Sequence, residues 1–577
     1  MKNFQIALCA VAALAAQTEP VFRTTSEVVL VPASVLDKHG QPVAGLKRED
    51  FELRVDGQRT GITALDEISG PPANAAATLP AMPPNTVTNV PPVESSRRSW
   101  VILLVDFINT TLPQRMDLRN QLLKFLSQDL RPGQQMALYA LSNSLVLLHP
   151  FSTDTRPLIE AASRLVHEKG TPPPDNAGFL SVAPVGVAGV IAAGPGGSSS
   201  LVNPTPAQAA QGDIEGFLLA SQWRMQVFAT HARALNTLVQ FRQLANAFAG
   251  VAGKKTVLWL TGDASPLNPT LMNMMILDDM VDEPMRLEWR ELAATYDALN
   301  GAGISVFPVD IRGIINPGLV NPSETPNHPD FMQTLAQSQP KDNAAYPTTT
   351  LRRQGESANA VLAMETAAVE TGGQVLKGSN DLSDLLGRAQ GLWSSYYVLA
   401  FTPEPESRGK PAYRRIEVKV PGRGAQVLYR RGYISRPESL IASAGELQRD
   451  VAEASGSPVD LTAVPLTLKL KPEGRGVHFQ LTIPGNGLQR ADTPQGARFN
   501  FSIFMVLKDS KGKVLSSLGD KIDRVFARAQ AAGIARNGFL YPGQFDAPAG
   551  QRCFGRIIVR DNLSGHVGTI TVQIGQD

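Results

Sequence analysis

Three apolar runs in this chain end in an aspartate: "WVILLVD" (100–106), "KTVLWLTGD" (255–263) and "ISVFPVD" (304–310). A run without alternation presents apolar groups on both faces of a strand, so each must be covered on both sides. Helical periods lie between them: Leu118, Leu122, Leu123, Leu126 and Leu130; then Ala234, Leu238, Phe241, Ala245 and Phe248, stopping at Gly250; then Leu292, Tyr296 and Leu299. "QMALYALS" (135–142) reads as a further strand with "LVLLHPF" (145–151) beside it. "GGQVL" (372–376) reads as a last strand, before a helix carrying Leu382, Leu385, Leu386 and Ala389. Strand alternating with helix predicts an α/β class, with a central doubly wound, mainly parallel sheet over 98–393. Ligands of such sheets bind beyond the carboxyl ends of the strands, where Asp106, Asp263 and Asp310 fall.

The flanks read as β-rich. "SEVVLVPASVL" and "FELRVDG", the latter with Phe51, Leu53 and Val55 on one face and an Asp56-Gly57 hairpin signal, predict a small immunoglobulin-like sandwich over 22–69. Residues 70–97 are rich in Pro and Ala without a period, which is linker composition. Residues 394–435 form a β-rich extension, 436–460 a polar, partly helical connector, and 461–577 a C-terminal sandwich of evenly spaced short strands. Two Gly/Pro/Ala-rich stretches, 172–212 and 314–355, are expected to be loop insertions in the central unit.

The chain has 577 residues, 43% hydrophobic and 18% charged, with a formal net charge of +2. That length calls for several domains, and that charge offers no broad basic surface to nucleic acid. "MKNFQIALCAVAALAA" (1–16) reads as a signal peptide, placing the mature protein outside the cytoplasm, periplasmic or secreted. No later stretch approaches about 20 uninterrupted apolar residues, so no membrane span is expected. Cys9 lies in the signal and leaves Cys553 alone, which excludes a disulfide framework.

Several phrases in order, "VLDKHGQPVAGLKREDFELRVDG", the Asp106 run, "SSYYVLAFTPEP", "YRRIEVKV" and "VLYRRGYIS", resemble the von Willebrand factor type A (VWA) related domain of secreted acidobacterial proteins, over roughly Phe22 to Tyr433. The resemblance implies a Rossmann-type central domain. It further implies protein–protein interaction or adhesion, with Mg2+ or Mn2+ held by a D-x-S-x-S turn plus a threonine and an aspartate from other loops. Carried over, Asp106 is the motif's aspartate, Thr110 its second serine, Thr171 in "HEKGTPP" the loop threonine, and Asp263 the displaced aspartate of "TGD". Ile108 replaces the first serine and cannot ligate, so the shell is incomplete. The plain alternative is that Asp106 ends a buried strand and Thr110 or Thr111, ahead of Pro113, caps the next helix.

Enzyme signatures are absent from the sequence: no G-x-S-x-G, no H-E-x-x-H and no phosphate loop. The seven histidines show no paired ligand spacing. His149 and His167 flank the presumed binding edge, and a hydrolase assembled on the same rim from residues such as His149 and Asp263 is one alternative; a cell-envelope scaffold binding through its terminal sandwiches is another. Glu365 and Glu370 read as a solvated helix face. Trp393, Tyr396, Tyr397 and Phe401 read as a seam between the central unit and the strands that follow. The expectation is an exported, non-enzymatic interaction protein with a protein partner and no nucleic acid.

Overall fold

A computed structural model describes residues 28–69, 83–89, 99–130, 134–165, 206–268 (without 252), 289–314, 345–403, 412–435, 444–473 (without 458), 476–546 and 551–574. The stretch expected to be a signal peptide (1–16), Thr171, His167, most of the 70–97 linker and most of both insertions lie outside them.

In chain order, β1 (Val29–Leu36), β2 (Glu52–Val55), β3 (Gln58–Arg59), β4 (Ala64–Ser69) and β5 (Thr86–Thr88) precede β6 (Ser99–Asp106) and α1 (Leu112–Lys124). Then come β7 (Gln135–Leu141), β8 (Leu145–Ser152), α2 (Thr155–Ser163), α3 (Pro206–Phe248), β9 (Lys254–Thr261), α4 (Trp289–Gly301), β10 (Ile304–Asp310), α5 (Ala345–Thr371) and α6 (Leu382–Ser394). Next are β11 (Ser395–Phe401), β12 (Ala412–Lys419), β13 (Gln426–Tyr429), β14 (Gly432–Ser435) and α7 (Ala444–Gly456). The chain closes with β15 (Thr467–Glu473), β16 (Gly476–Ile483), β17 (Ala491–Thr493), β18 (Gly496–Asp509), β19 (Val514–Phe526), α8 (Arg528–Asn537), β20 (Phe539–Asp546), β21 (Cys553–Asp561) and β22 (Val567–Ile574).

These strands form five sheets, four of them antiparallel and one mixed, which corrects the expected class: the chain is not organised as a central, mainly parallel doubly wound sheet with small flanks. Strand–helix alternation held for one stretch only, and antiparallel pairing governs the rest. Even the mixed sheet, in the order β10-β9-β6-β7-β8, ends antiparallel. The few residues between Leu141 and Leu145 can turn a hairpin but are far too short for a crossover. "GGQVL" contributes only a bridge, Leu376 to Val309.

Within the mixed sheet, successive side chains take opposite faces. Trp100, Ile102, Leu104, Val257, Trp259 and Val306 share a buried cluster with Leu238 and Phe241 of α3, Tyr296 of α4 and Met364 of α5. Val101, Leu103, Val105, Leu258, Leu260 and Val309 share another with Leu118 and Leu122 of α1, Leu158 of α2 and Leu386 of α6. Helices α3 and α5 begin inside the stretches expected to be loops, 172–212 and 314–355.

The sequence divided the β-rich stretches before and after this unit; the structure joins them. β1 pairs with β11 and β13, β11 with β4, and β12 with β2 and β14, so each of two sheets draws strands from 29–69 and from 395–435. Val31, Leu53, Leu399, Phe401 and Ile416 meet in their common core. Asp56 (φ 49) and Gly57 (φ 81) make the predicted hairpin turn, both in the left-handed region that a two-residue connection of this type needs. Trp393, Tyr396, Tyr397 and Phe401 are all buried. The linker also takes part: its Thr86–Thr88 strand, β5, pairs with β15 in the C-terminal unit. No helix among the described residues is long and apolar enough to cross a membrane.

The C-terminal unit docks on the end of α3. Thr462 donates from its amide to Asn246 O (2.9 Å) and from its hydroxyl to Ala247 O (2.9 Å), satisfying carbonyls that a helix terminus leaves open. Gly250 is a glycine because of this approach, not as a left-handed cap: a Cβ there would sit 1.9 Å from Thr462 O. Gly250→Ala is expected to lower unfolding free energy by about 1–3 kcal/mol, the usual cost of overpacking, in urea titration.

Two lysines begin β9 inside the protein. Lys254 Nζ donates to Ser34 Oγ of β1 (2.9 Å) and lies over the Tyr396 ring, while Lys255 Nζ donates to Val251 O. Burial pulls both ammonium groups down to about 7. Between about pH 7 and the ordinary lysine value near 10.4 the unfolded chain therefore binds more protons, and stability rises with pH by about 1.4 kcal/mol per unit for each lysine. Lys254→Met is expected to halve that slope and to raise stability at neutral pH, as read by denaturant unfolding across the window.

Candidate functional site at the carboxyl edge of the mixed sheet

Strand β6 ends in Asp106, whose carboxylate is fully buried and is reached by five donors. Oδ1 accepts from the amides of Ile108 (3.0 Å) and Asn109 (2.9 Å) as the chain turns back over it. Oδ2 accepts from Asn109 Nδ2 (2.9 Å), and from Trp259 Nε1 (3.0 Å) and the Thr261 hydroxyl (2.9 Å) on neighbouring β9. Trp259 and Thr261 reach the same oxygen because residues two apart on a strand share a face. Burial pushes the carboxyl above its ordinary value, and the donors from Asn109, Thr261 and Trp259 work against that rise.

The loop that follows is held just as closely. Thr110 is buried and its Oγ1 accepts from the Gly262 amide (3.1 Å), which joins the β6 and β9 termini. Thr111, not Thr110, leads into α1, its amide and hydroxyl both donating to Gln114 Oε1 (2.9 Å each). Arg115 lies beneath the loop, donating to Thr110 O (3.0 Å) and Phe107 O (2.5 Å), with its guanidinium over the Phe107 ring. Asn109 Nδ2 also reaches Thr237 Oγ1 on α3 (3.2 Å).

The other two strand-end carboxylates differ in surroundings. Asp310 is buried and forms a two-point pair with Arg312, Oδ1 to Nε at 2.8 Å and Oδ2 to the terminal nitrogen at 2.7 Å. Burial depresses the Arg312 guanidinium, but this pair, aided by the charge of Asp263, outweighs it and holds the group above its ordinary value. Asp263 is half-buried, and its main chain bonds to the Thr261 hydroxyl. His149 lies on β8 with Nδ1 2.6 Å from Pro150 O.

Of the four residues that the resemblance nominated for a metal, Asp106, Thr110 and Asp263 come together here through Thr261 and Gly262; Thr171 lies outside the described residues. They do not fit a resident divalent ion. Both Asp106 oxygens are occupied by hydrogen-bond donors, the Thr110 oxygen serves Gly262, and Ile108 offers nothing. Asn109 Oδ1 is buried without a partner, but one amide oxygen is far short of the roughly six that such cations need. Among the described residues no group of three His, Cys, Asp or Glu side chains is placed to hold a metal. The members that sequence reasoning missed are Asn109, Arg115, Trp259 and Arg312. Arg115 carried a signal, standing three and seven residues before Leu118 and Leu122 on the buried face of α1.

Alongside this edge, between α1 and the start of α6, runs an open groove of about 440 Å3 lined by Asn120, Gln121, Lys124, Asn380 and Asp381. Lys124 and Asp381 form an exposed ion pair across it at 2.6 Å.

No family model matches this chain, and no curated protein does. Similar solved structures include a von Willebrand factor type A protein from Catenulispora acidiphila, at 10% identity over 59% of this chain and 67% of that one, TM-score 0.22. Others are three N-terminal domains of the type V pili tip protein Mfa5 from Porphyromonas gingivalis (9%, 92% and 97%, TM-score 0.23) and a hypothetical protein, PH1083, from Pyrococcus horikoshii OT3 (11%, 19% and 84%, TM-score 0.14). Scores this low describe chains that do not superpose as wholes.

Asp106→Ala is expected to destabilise the protein by about 3–5 kcal/mol, since it strands buried donors and opens a void. The check is urea unfolding, and Asp263→Ala, at a half-buried carboxylate, should cost far less.

Proposed function

We propose that this chain is an exported, non-enzymatic interaction protein that presents the carboxyl edge of its mixed sheet and the adjoining α1–α6 groove to another protein, without a resident metal. The observation that carries this reading is the contrast between the two neighbouring features. The Asp106 carboxylate is spent on holding loops, while the groove between α1 and the start of α6 is open and lined by amides and one exposed ion pair. Small-molecule sites are enclosed; an open groove edged by amides and charged side chains suits the main chain and side chains of a protein segment. Export is supported by the residue pattern of 1–16.

The test has two arms. Calorimetric titration with Mg2+, Mn2+ and Ca2+ is expected to give no saturable heat. A photo-crosslinking side chain placed at Asn120 is expected to capture the same partner from an extracytoplasmic fraction with and without EDTA, and Lys124→Glu is expected to reduce that capture several-fold. Saturable ion binding lost in Asp106→Ala, or capture abolished by EDTA, overturns the metal-free reading.

A further inference from the structure

Strand β19 is exposed along its length, with only Ile522 and Phe526 half-buried. It forms an antiparallel ladder with β18 on one side, and no described strand pairs with its other edge. Leu518 and Val525 are 61% and 46% exposed. An exposed edge this long offers a row of amides and carbonyls, of which the Lys521 amide already donates to the Asp520 carboxylate (2.8 Å), and proteins ordinarily blunt such edges with proline, bulges, short length or charged side chains. β19 is 13 residues long with no proline, and its charged residues are Asp520, Lys521, Asp523 and Arg524, whose order decides what the edge can accept.

The order of its side chains is self-complementary. Leu518, Asp520, Ile522, Arg524 and Phe526 stand opposite Met505, Ile503, Phe501, Phe499 and Ala497, on the core side of the sheet; Lys521, Asp523 and Val525 stand on the other side. An antiparallel copy of the same strand, related by a two-fold axis at Ile522, meets every charge with its opposite. Asp520 then faces Arg524 and Lys521 faces Asp523 across the new seam, each pair occurring twice. Ile522 meets its own counterpart, and Leu518 meets Phe526. Residues directly opposed across an antiparallel pair share a face, so these matches fall on the correct sides.

We propose that β19 pairs edge to edge with β19 of a second copy of this chain, making a two-fold dimer with one continuous sheet through both C-terminal units. Such an interface uses the same patch twice and closes on itself, leaving no free edge to propagate. This stands independently of the rim and its partner. Asp523 already pairs with Arg498 through two hydrogen bonds (2.8 and 2.9 Å), so the Asp520–Arg524 match is the one to manipulate. Among the described residues Asp520 has no ion-pair partner: its Oδ1 accepts from the Lys521 amide (2.8 Å) and its Oδ2 from the Tyr541 hydroxyl (3.3 Å).

Sedimentation equilibrium of the full chain across the micromolar range tests this. The wild type is expected to dimerise with concentration. Asp520→Arg and Arg524→Asp each place like charges opposite one another at two symmetric positions and are expected to weaken association by about tenfold or more. The double variant Asp520→Arg/Arg524→Asp restores both matches and is expected to return within a few-fold of wild type. Circular dichroism and a cooperative thermal transition show that the variants fold. A wild type that stays monomeric throughout, a dimer indifferent to both single changes, or a double variant no better than the singles overturns the proposal.

Discussion

The central unit is fastened at the Asp106 carboxylate. A buried anion is tolerable only when its lone pairs are answered, and here the answers come from three directions: two amides of the turn it begins, the indole and hydroxyl of the next strand, and an amide side chain that also touches α3. One side chain thereby fixes the path from β6 into α1, the spacing of the β6 and β9 termini, and the seat of α3 on the sheet. Arg115 and Thr110 complete the clamp from below and beside. A group consumed in this way has no free coordination to lend.

Much of the mixed sheet could be read from the residues. The runs at 100–105, 255–261 and 304–309 are strands buried on both faces, and the leucine periods of α1, α4 and α6 are helices facing them. Pairing direction was less legible. Apolar content says that a strand is covered, not which way its neighbour runs, so the weight of antiparallel sheet in the whole chain was missed. Polar atoms inside the core were harder still. Trp259 and Thr261 look like filler in an apolar run, and nothing in their spacing announces that both aim at the oxygen of a residue 153 and 155 positions earlier. Position along the strands did place Asp106, Thr110 and Asp263 in one neighbourhood.

The periphery shows a second limit of local reading. Residues 29–69 and 395–435 each look like a small β unit, and each is half of one: β1 lies between β11 and β13, and β2 beside β12. Composition marks where a chain stops being helical but carries no label for its distant partner. Thr86–Thr88, embedded in linker composition, likewise becomes a strand because β15 offers it an edge. Gly250 gives the same lesson at one residue, since its need for a hydrogen in place of Cβ is set by Thr462, far along the chain.

The shared sandwich bears on the order in which this protein can assemble. Val31 pairs with Leu399, so the first strands must wait for some 370 residues to be made before their ladder can close. At roughly 5–20 residues per second, ribosomes take tens of seconds to cover that distance. During that interval the mixed-sheet unit can condense around its own contacts, while β1 and β4 wait for the strands that will pair with them. A chain built this way cannot be finished from the N-terminus one domain at a time.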